Sequence, residues 1–300
     1  YTFIGQKVYR FNYAKNEFVF CLTLPDSDGN IRFARAYMGK LWIFVNNSGL
    51  YKIDMSTFKI EDHYTLLTDY EGNSLRTFYI DKKGYIWFGT IDGIYIFDPT
   101  DGKLSHYKHS RTDPFSLPNN SIWEISEDRQ SNVWIGTYSG TLCYVNIDEN
   151  NAFKTYHPQN SGLNHTPVSA FAEDQQYLWV GTEGGGINRM NKATGEFSYI
   201  TSANSITSNN IKSLITDAGH NLWISTFMGG LDLYNVGRQK VTNFKHTKGA
   251  PHSLLVNDVR KTILEGDSGM WVAYQYQKAE VSYFSFREES FTHFSLDSIS

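Results

Sequence analysis

The 300-residue chain carries 27 basic and 31 acidic side chains, a formal net charge of −4, and is 40% hydrophobic and 16% aromatic. That balance gives no bulk attraction to phosphate backbones, and no apolar run reaches the roughly 18 residues of a helical membrane span. Neither nucleic acid nor a bilayer is an expected partner of this part, whereas its aromatic content suits a large globular core.

In chain order, Tyr1 to Thr23 opens inside a repeat. YTFIGQKVYRF aligns with YQYQKAEVSYF from Tyr274, which sets Val8 on Val281 and predicts the second, third and fourth strands of a unit whose inner strand is absent from this end. Tryptophans then recur at Trp42, Trp87, Trp134, Trp179, Trp223 and Trp271, with gaps of 45, 47, 45, 44 and 48 residues. A period that regular marks an array of like units. Before each tryptophan an apolar run ends near an acid or tyrosine (Tyr37, Asp81, Asp128, Asp174, Asp217, Glu265), and after it come a turn and a run such as GIYIFD. Runs of four to seven β-branched and aromatic residues between Gly, Asn, Asp and Ser are short antiparallel strands, four to a period. In the third copy they are 122–126, 132–137, 141–145 and 153–157.

Four strands in about 45 residues is a propeller blade, so the expected fold is an all-β β-propeller of four-stranded antiparallel blades. Blades are placed at 1–23 (partial), 31–66, 75–109, 121–157, 167–201, 210–247 and 257–296. That makes a seven-bladed propeller of six complete blades plus three strands of a seventh, one domain over 1–300 of a longer chain. A six-bladed ring with an N-terminal ribbon is the alternative. DSIS after Leu296 resembles the start of the SL-x-x-N junction seen at Ser116, Ser205 and Ser253, so chain is expected on both sides and the lack of a leader sequence carries no information.

The six registered tryptophans read as wedges between blades, because a functional aromatic has no reason to recur in every unit. Cys21 and Cys143 fall in strands of different blades and read as packing residues. The nine histidines show no metal-ligand spacing, and no metal or cofactor is expected. The glycine-rich stretch from Gly181 to Arg189 lies between strands and reads as a turn rather than a phosphate cradle.

Recognition is then left to whatever differs between units. The variable loops are 68–74, 110–120, 158–166, 202–209 and 248–256, which carry Tyr70, Arg111, Asp113, Asn119, Asn164, His165 and His252. The shorter turns add Tyr138, Glu183 and Phe227. Such polar and aromatic groups suit sugars, and they equally suit solvated loops and Asx turns. The second position of the inner strands reads Arg32, Arg76, Trp123, Ser169, Lys212 and Arg260, four cations and one tryptophan near the mouth of the central channel. Clustered cations need compensation, either from an anionic ligand such as an acidic sugar or from Glu124, Asp258 and neighbouring carbonyls. Trp123, outside the repeated register, is the better stacking candidate.

The combination D-x-x-G-x-[ILV]-W-[IFV]-G-T, then G-[GLI]-[LIY] and F/Y-D, then F-x-x-Y and SL-x-x-N, resembles the two-component regulator propeller repeat. DKKGYIWFGTIDGIYIFD, DRQSNVWIGTYSGTLCYV and DAGHNLWISTFMGGLDLYN carry the match. KLWIFVNNSGLYKID lacks the Gly-Thr, and MWVAYQYQKAE lacks the glycine turn. The resemblance implies the periplasmic, non-enzymatic sensor part of a hybrid two-component histidine kinase of Bacteroidetes, regulating glycan utilisation through genes it switches on. It implies an oligosaccharide ligand, a second propeller and downstream domains of the same chain as partners, and a homodimeric full-length protein. From the residues alone, a propeller lyase or glycosidase using Glu124, Glu183 or Asp113, and a scaffold without a ligand, stay open.

Overall fold

Every described element is a strand, as short β-branched and aromatic runs between Gly, Asn and Asp turns dictate. The computed structural model describes residues 1–25, 29–68, 74–138, 141–146, 153–156, 161–275 and 280–295. By its internal contacts the chain forms two compact units, Tyr1–Glu127 and Asp128–Ser300.

The first unit begins with a three-stranded antiparallel sheet of β1 (Thr2–Ile4), β2 (Lys7–Asn12) and β3 (Glu17–Thr23). Two four-stranded meanders follow. The first is β4 (Ile31–Tyr37), β5 (Lys40–Val45), β6 (Gly49–Asp54) and β7 (Ile60–Tyr64). The second is β8 (Thr77–Ile80), β9 (Ile86–Thr90), β10 (Gly93–Asp98) and β11 (Lys103–Tyr107), after which β12 (Ile122–Glu127) ends the unit.

The second unit runs from β13 (Val133–Thr137), β14 (Leu142–Val145) and β15 (Lys154–Tyr156) to β16 (Val168–Glu173), β17 (Tyr177–Thr182), β18 (Gly186–Asn191) and β19 (Phe197–Ile200). It continues with β20 (Ile211–Thr216), β21 (Leu222–Thr226), β22 (Gly230–Asn235) and β23 (Lys240–Phe244), then β24 (Val259–Glu265), β25 (Gly269–Tyr274), β26 (Glu280–Ser285) and β27 (Ser290–Ser295). Along the chain the strands fall into one group of three and six of four, the blades of a seven-bladed β-propeller. The third copy's strands lie within a residue of the sequence reading, up to His157, which is outside the described residues.

The repeated motif resolves into separate physical jobs. Each tryptophan stands at the same register of a blade's second strand, and Trp87 and Trp179 are fully buried. Its indole Nε1 donates to the acid that ends the first strand: Trp87 to Asp81 and Trp134 to Asp128 at 2.8 Å, Trp179 to Asp174 and Trp223 to Asp217 at 3.0 Å. The other carboxylate oxygen accepts turn amides, as Asp81 Oδ1 does from Lys83 and Tyr85. One acid thus fixes both the hairpin and the wedge. Where Tyr37 replaces it, Trp42 Nε1 is buried without an acceptor among the described residues.

The glycine two residues on gives neighbouring blades room to close up. A Cβ on Gly136 would lie 2.7 Å from Val168 Cγ1, and one on Gly181 2.7 Å from Ile211 Cγ2, far inside van der Waals contact. The threonine after it locks the next hairpin, Thr182 Oγ1 donating to Gly186 O at 3.0 Å and Thr226 Oγ1 to Gly230 O at 2.8 Å. The junction asparagine ties blade to blade: Asn209 O accepts from Gly184 N and Gly186 N while Asn209 Oδ1 accepts from Ser202 N. Cys21 and Cys143 are free thiols, and burial pushes the Cys143 thiol well above its ordinary range.

Candidate functional site

The inner strands share a feature that hydrophobic alternation hides. In four of them the pairing slips by one residue, between Ile31 and Phe33, Val168 and Ala170, Ile211 and Ser213, and Val259 and Lys261. The residues skipped are Arg32, Ser169, Lys212 and Arg260, the variable series picked out in the sequence. A bulge turns its extra side chain out of the pleat. The bulge thus leaves Arg32 and Arg260 exposed and Lys212 partly so, while the small Ser169 stays buried at 5% exposure.

In the first unit these side chains are engaged by the next blade. Arg32 Nη2 donates to Leu75 O at 3.1 Å, and Arg76 Nη1 to Ser121 Oγ at 2.8 Å. The Arg76 guanidinium lies 5.1 Å from the Trp123 ring centroid, a cation–π contact. Arg111 is exposed on the loop after β11, Asp113 Oδ1 accepts from Phe115 N, and Asn119 Oδ1 accepts from Ser121 N. The last two are turn formers, and Tyr70 lies outside the described residues.

In the second unit the loops between second and third strands meet those that lead into first strands. Glu183 N donates to Pro167 O and Phe227 N to Asn210 O, both at 2.9 Å. His165 packs over the β17–β18 turn: a Cβ on Gly184, whose φ is +124°, would lie 2.6 Å from His165 Cε1. Only glycine accepts both that backbone and that ring. Asn164 is fastened to the same turn, its Nδ2 donating to Gly185 O. Tyr138 is exposed beside β13, and His252 is tied to the outer strand of its blade, its O accepting from Phe291 N at 3.1 Å and its Nδ1 lying 3.2 Å from Phe291 O.

At the centre of this cluster Lys212 Nζ donates to Glu183 Oε1 and lies 5.5 Å from the Phe227 ring centroid, with Phe227 37% exposed. Ser169, in the same series, donates to Ile211 O at 2.6 Å. Asp258, immediately before β24, is 4% exposed, and among the described residues neither of its carboxylate oxygens has a hydrogen-bond partner. Burial pushes its carboxyl above the ordinary range, while Lys212 and the exposed Arg260 pull it back. The positive pair is thus balanced by two carboxylates, and what the cluster lacks is hydrogen-bond donors for Asp258. The sequence hinted at this residue only by contrast, since Asn30, Ser74, Ser121, Pro167 and Asn210 occupy the corresponding place.

Among the described residues no group of three or more His, Cys, Asp or Glu side chains gathers as a metal site, and no helix is long and apolar enough to cross a membrane.

Residues 69–92 and 116–139 match the two-component regulator propeller family model. Over 265 residues it is 26% identical to histidine kinase P4 of Formosa agariphila, covering 82% of this chain and 18% of that protein. The chain therefore spans under a fifth of that relative. Among solved structures, PorZ of the Porphyromonas gingivalis type-IX secretion system aligns at TM-score 0.58 and 14% identity, over 81% of this chain and 37% of PorZ, a likeness of fold. The extracellular domain of a hybrid two-component system of B. thetaiotaomicron aligns at TM-score 0.44 and 19% identity, over 97% of this chain and 46% of that one.

Proposed function

We propose that this chain is an extracytoplasmic sensor propeller of a hybrid two-component histidine kinase, and that it recognises an oligosaccharide released by glycan breakdown. The observation that carries the reading is Asp258, a buried carboxylate with two unoccupied oxygens between Lys212 and Arg260. Leaving such a group without donors costs about 1–3 kcal/mol or more. Adjacent hydroxyls of a sugar ring are donors that a carboxylate accepts in pairs, and the exposed face of Phe227 suits the ring's apolar side. The repeats and the kinase similarity support a signalling context. Kinase chemistry, dimerisation and contact with a second propeller then belong to the longer protein.

Calorimetry on a panel of neutral and acidic oligosaccharides, run beside a reducing-end and unsaturated-uronate assay, tests this. The expected result is stoichiometric binding without turnover, weakened about tenfold or more, that is about 1.4 kcal/mol, by Asp258→Asn and by Phe227→Ala. Turnover would assign a glycosidase or lyase instead. Binding that both variants leave intact would remove this cluster as the site.

A further inference from the structure

A second feature of the 128–300 unit lies away from that cluster, along the outer strands of two neighbouring blades. Arg189 on β18, Ser198 and Tyr199 on β19, Tyr234 on β22, and Ser205 and Gln239 in adjacent loops line a cavity of about 210 Å³. That is smaller than typical ligand pockets of about 300–1,000 Å³ and suits one small ring or the end of a longer ligand. None of its lining side chains is acidic.

Arg189 is the key. Its guanidinium lies 4.6 Å from the Tyr177 ring centroid and 5.8 Å from that of Trp179, and its Nε donates to Ser198 Oγ at 2.9 Å. Among the described residues no carboxylate pairs with it. The same register of another blade shows what a self-sufficient version looks like. Lys52 on β6 sits over Trp42 at 5.7 Å, and its cross-strand neighbour is Asp62, whose Oδ2 accepts from Lys52 Nζ at 3.2 Å. Arg189 has Ser198 across the strand where Lys52 has that acid. Both cations cover the blade tryptophan, and only the lysine has an anion built in.

A half-buried guanidinium that lines a donor-lined cavity with its Nε occupied is suited to a planar oxyanion, which the terminal nitrogens grip with two parallel hydrogen bonds. Tyr234, Ser205 and Gln239 add neutral donors that stabilise an anion without cancelling its charge. We propose that this cavity is a carboxylate-binding site, with the Arg189 fork holding the carboxylate of a small ligand the size of a single sugar acid. It is separate from the Glu183–Asp258 cluster and stands without the sensor reading.

The test compares glucuronate with glucose, the same ring with and without the carboxylate, by calorimetry on the wild-type chain and on Arg189→Lys and Arg189→Gln. Arg189→Lys is the fold-safe variant, because Lys52 shows that a lysine serves this register. The expected result is that glucuronate binds, that glucose binds at least tenfold more weakly, and that both variants lose tenfold or more. A crystal grown with glucuronate should place the carboxylate on the terminal nitrogens of Arg189. Equal binding of the two sugars, absence of glucuronate binding, or unchanged affinity in Arg189→Lys would each overturn the assignment. So would loss in Asp258→Asn alone, which would put the carboxylate at the other cluster.

Discussion

Replacing Asp81 by alanine tests whether the repeated acid is an indole clamp. Asp81 is 3% exposed; its Oδ2 accepts from Trp87 Nε1 at 2.8 Å and its Oδ1 from Lys83 N at 3.0 Å and Tyr85 N at 2.9 Å. Trp87 has no exposed surface, so its orphaned N–H cannot reach water and costs about 1–3 kcal/mol. The two turn amides lie beside exposed lysines and recover hydration, adding about 0.5–1 kcal/mol each. Burial also pushes the Asp81 carboxyl above its ordinary range, so removing it returns part of the loss. The net expectation is about 3 kcal/mol of destabilisation, a fall in Tm of about 6 °C for a chain of this size. Thermal and urea unfolding followed by tryptophan fluorescence measures it. A double-mutant cycle with Trp87→Phe isolates the indole bond, with an expected coupling of about 1–2 kcal/mol. A loss below about 0.5 kcal/mol, or a cycle without coupling, would refute the clamp and leave the acid as a turn former only.

Gly181→Val should destabilise by about 1–3 kcal/mol through overpacking against Ile211, measured by urea unfolding, because the blades cannot separate there without losing the contact of their inner strands. Asp258→Asn should match or exceed the wild-type Tm near pH 7. Its carboxyl is raised in the fold, so the ionisation penalty is absent below the unfolded value of about 3.9 and sets in as pH rises through the folded one. The two melting curves should therefore converge in acid, and a variant clearly less stable at neutral pH would contradict the unpaired carboxylate. His293, whose Nδ1 is 2.8 Å from Ser282 Oγ, is held below its ordinary value chiefly by burial. Its contribution is complete above the unfolded pKa of about 6.5 and declines as pH falls through it, since the unfolded chain takes the proton first. An NMR titration placing His293 above that value would reverse the sign.

The candidate site was half legible. The series Arg32, Arg76, Trp123, Ser169, Lys212 and Arg260 stood out because its members vary while the residues around them repeat, and four of the six prove to be the bulged positions of their strands. A bulge leaves no trace in an alternation pattern, so the reason these positions depart from the repeat had to come from the register. Asp258 appeared in the sequence only as a neighbour for cations, since nothing in a linear chain shows that a carboxylate is buried with both oxygens unbonded. Arg189 passed unnoticed inside a glycine-rich turn and strand.

What the sequence determined is the unit. An indole every 45 residues or so, an acid five or six positions before it, a glycine two after it and a threonine next to that define one hairpin geometry through contacts inside a blade or with its immediate neighbour. Local and nearest-neighbour interactions are legible because they repeat. What the tertiary structure decided is which side chains are left over once those contacts are made. Lys212 finds Glu183, Lys52 finds Asp62, and among the described residues Asp258 and Arg189 find no partner of opposite charge at hydrogen-bonding distance. Such remainders depend on distances between residues tens of positions apart, and only the packed blades set those distances.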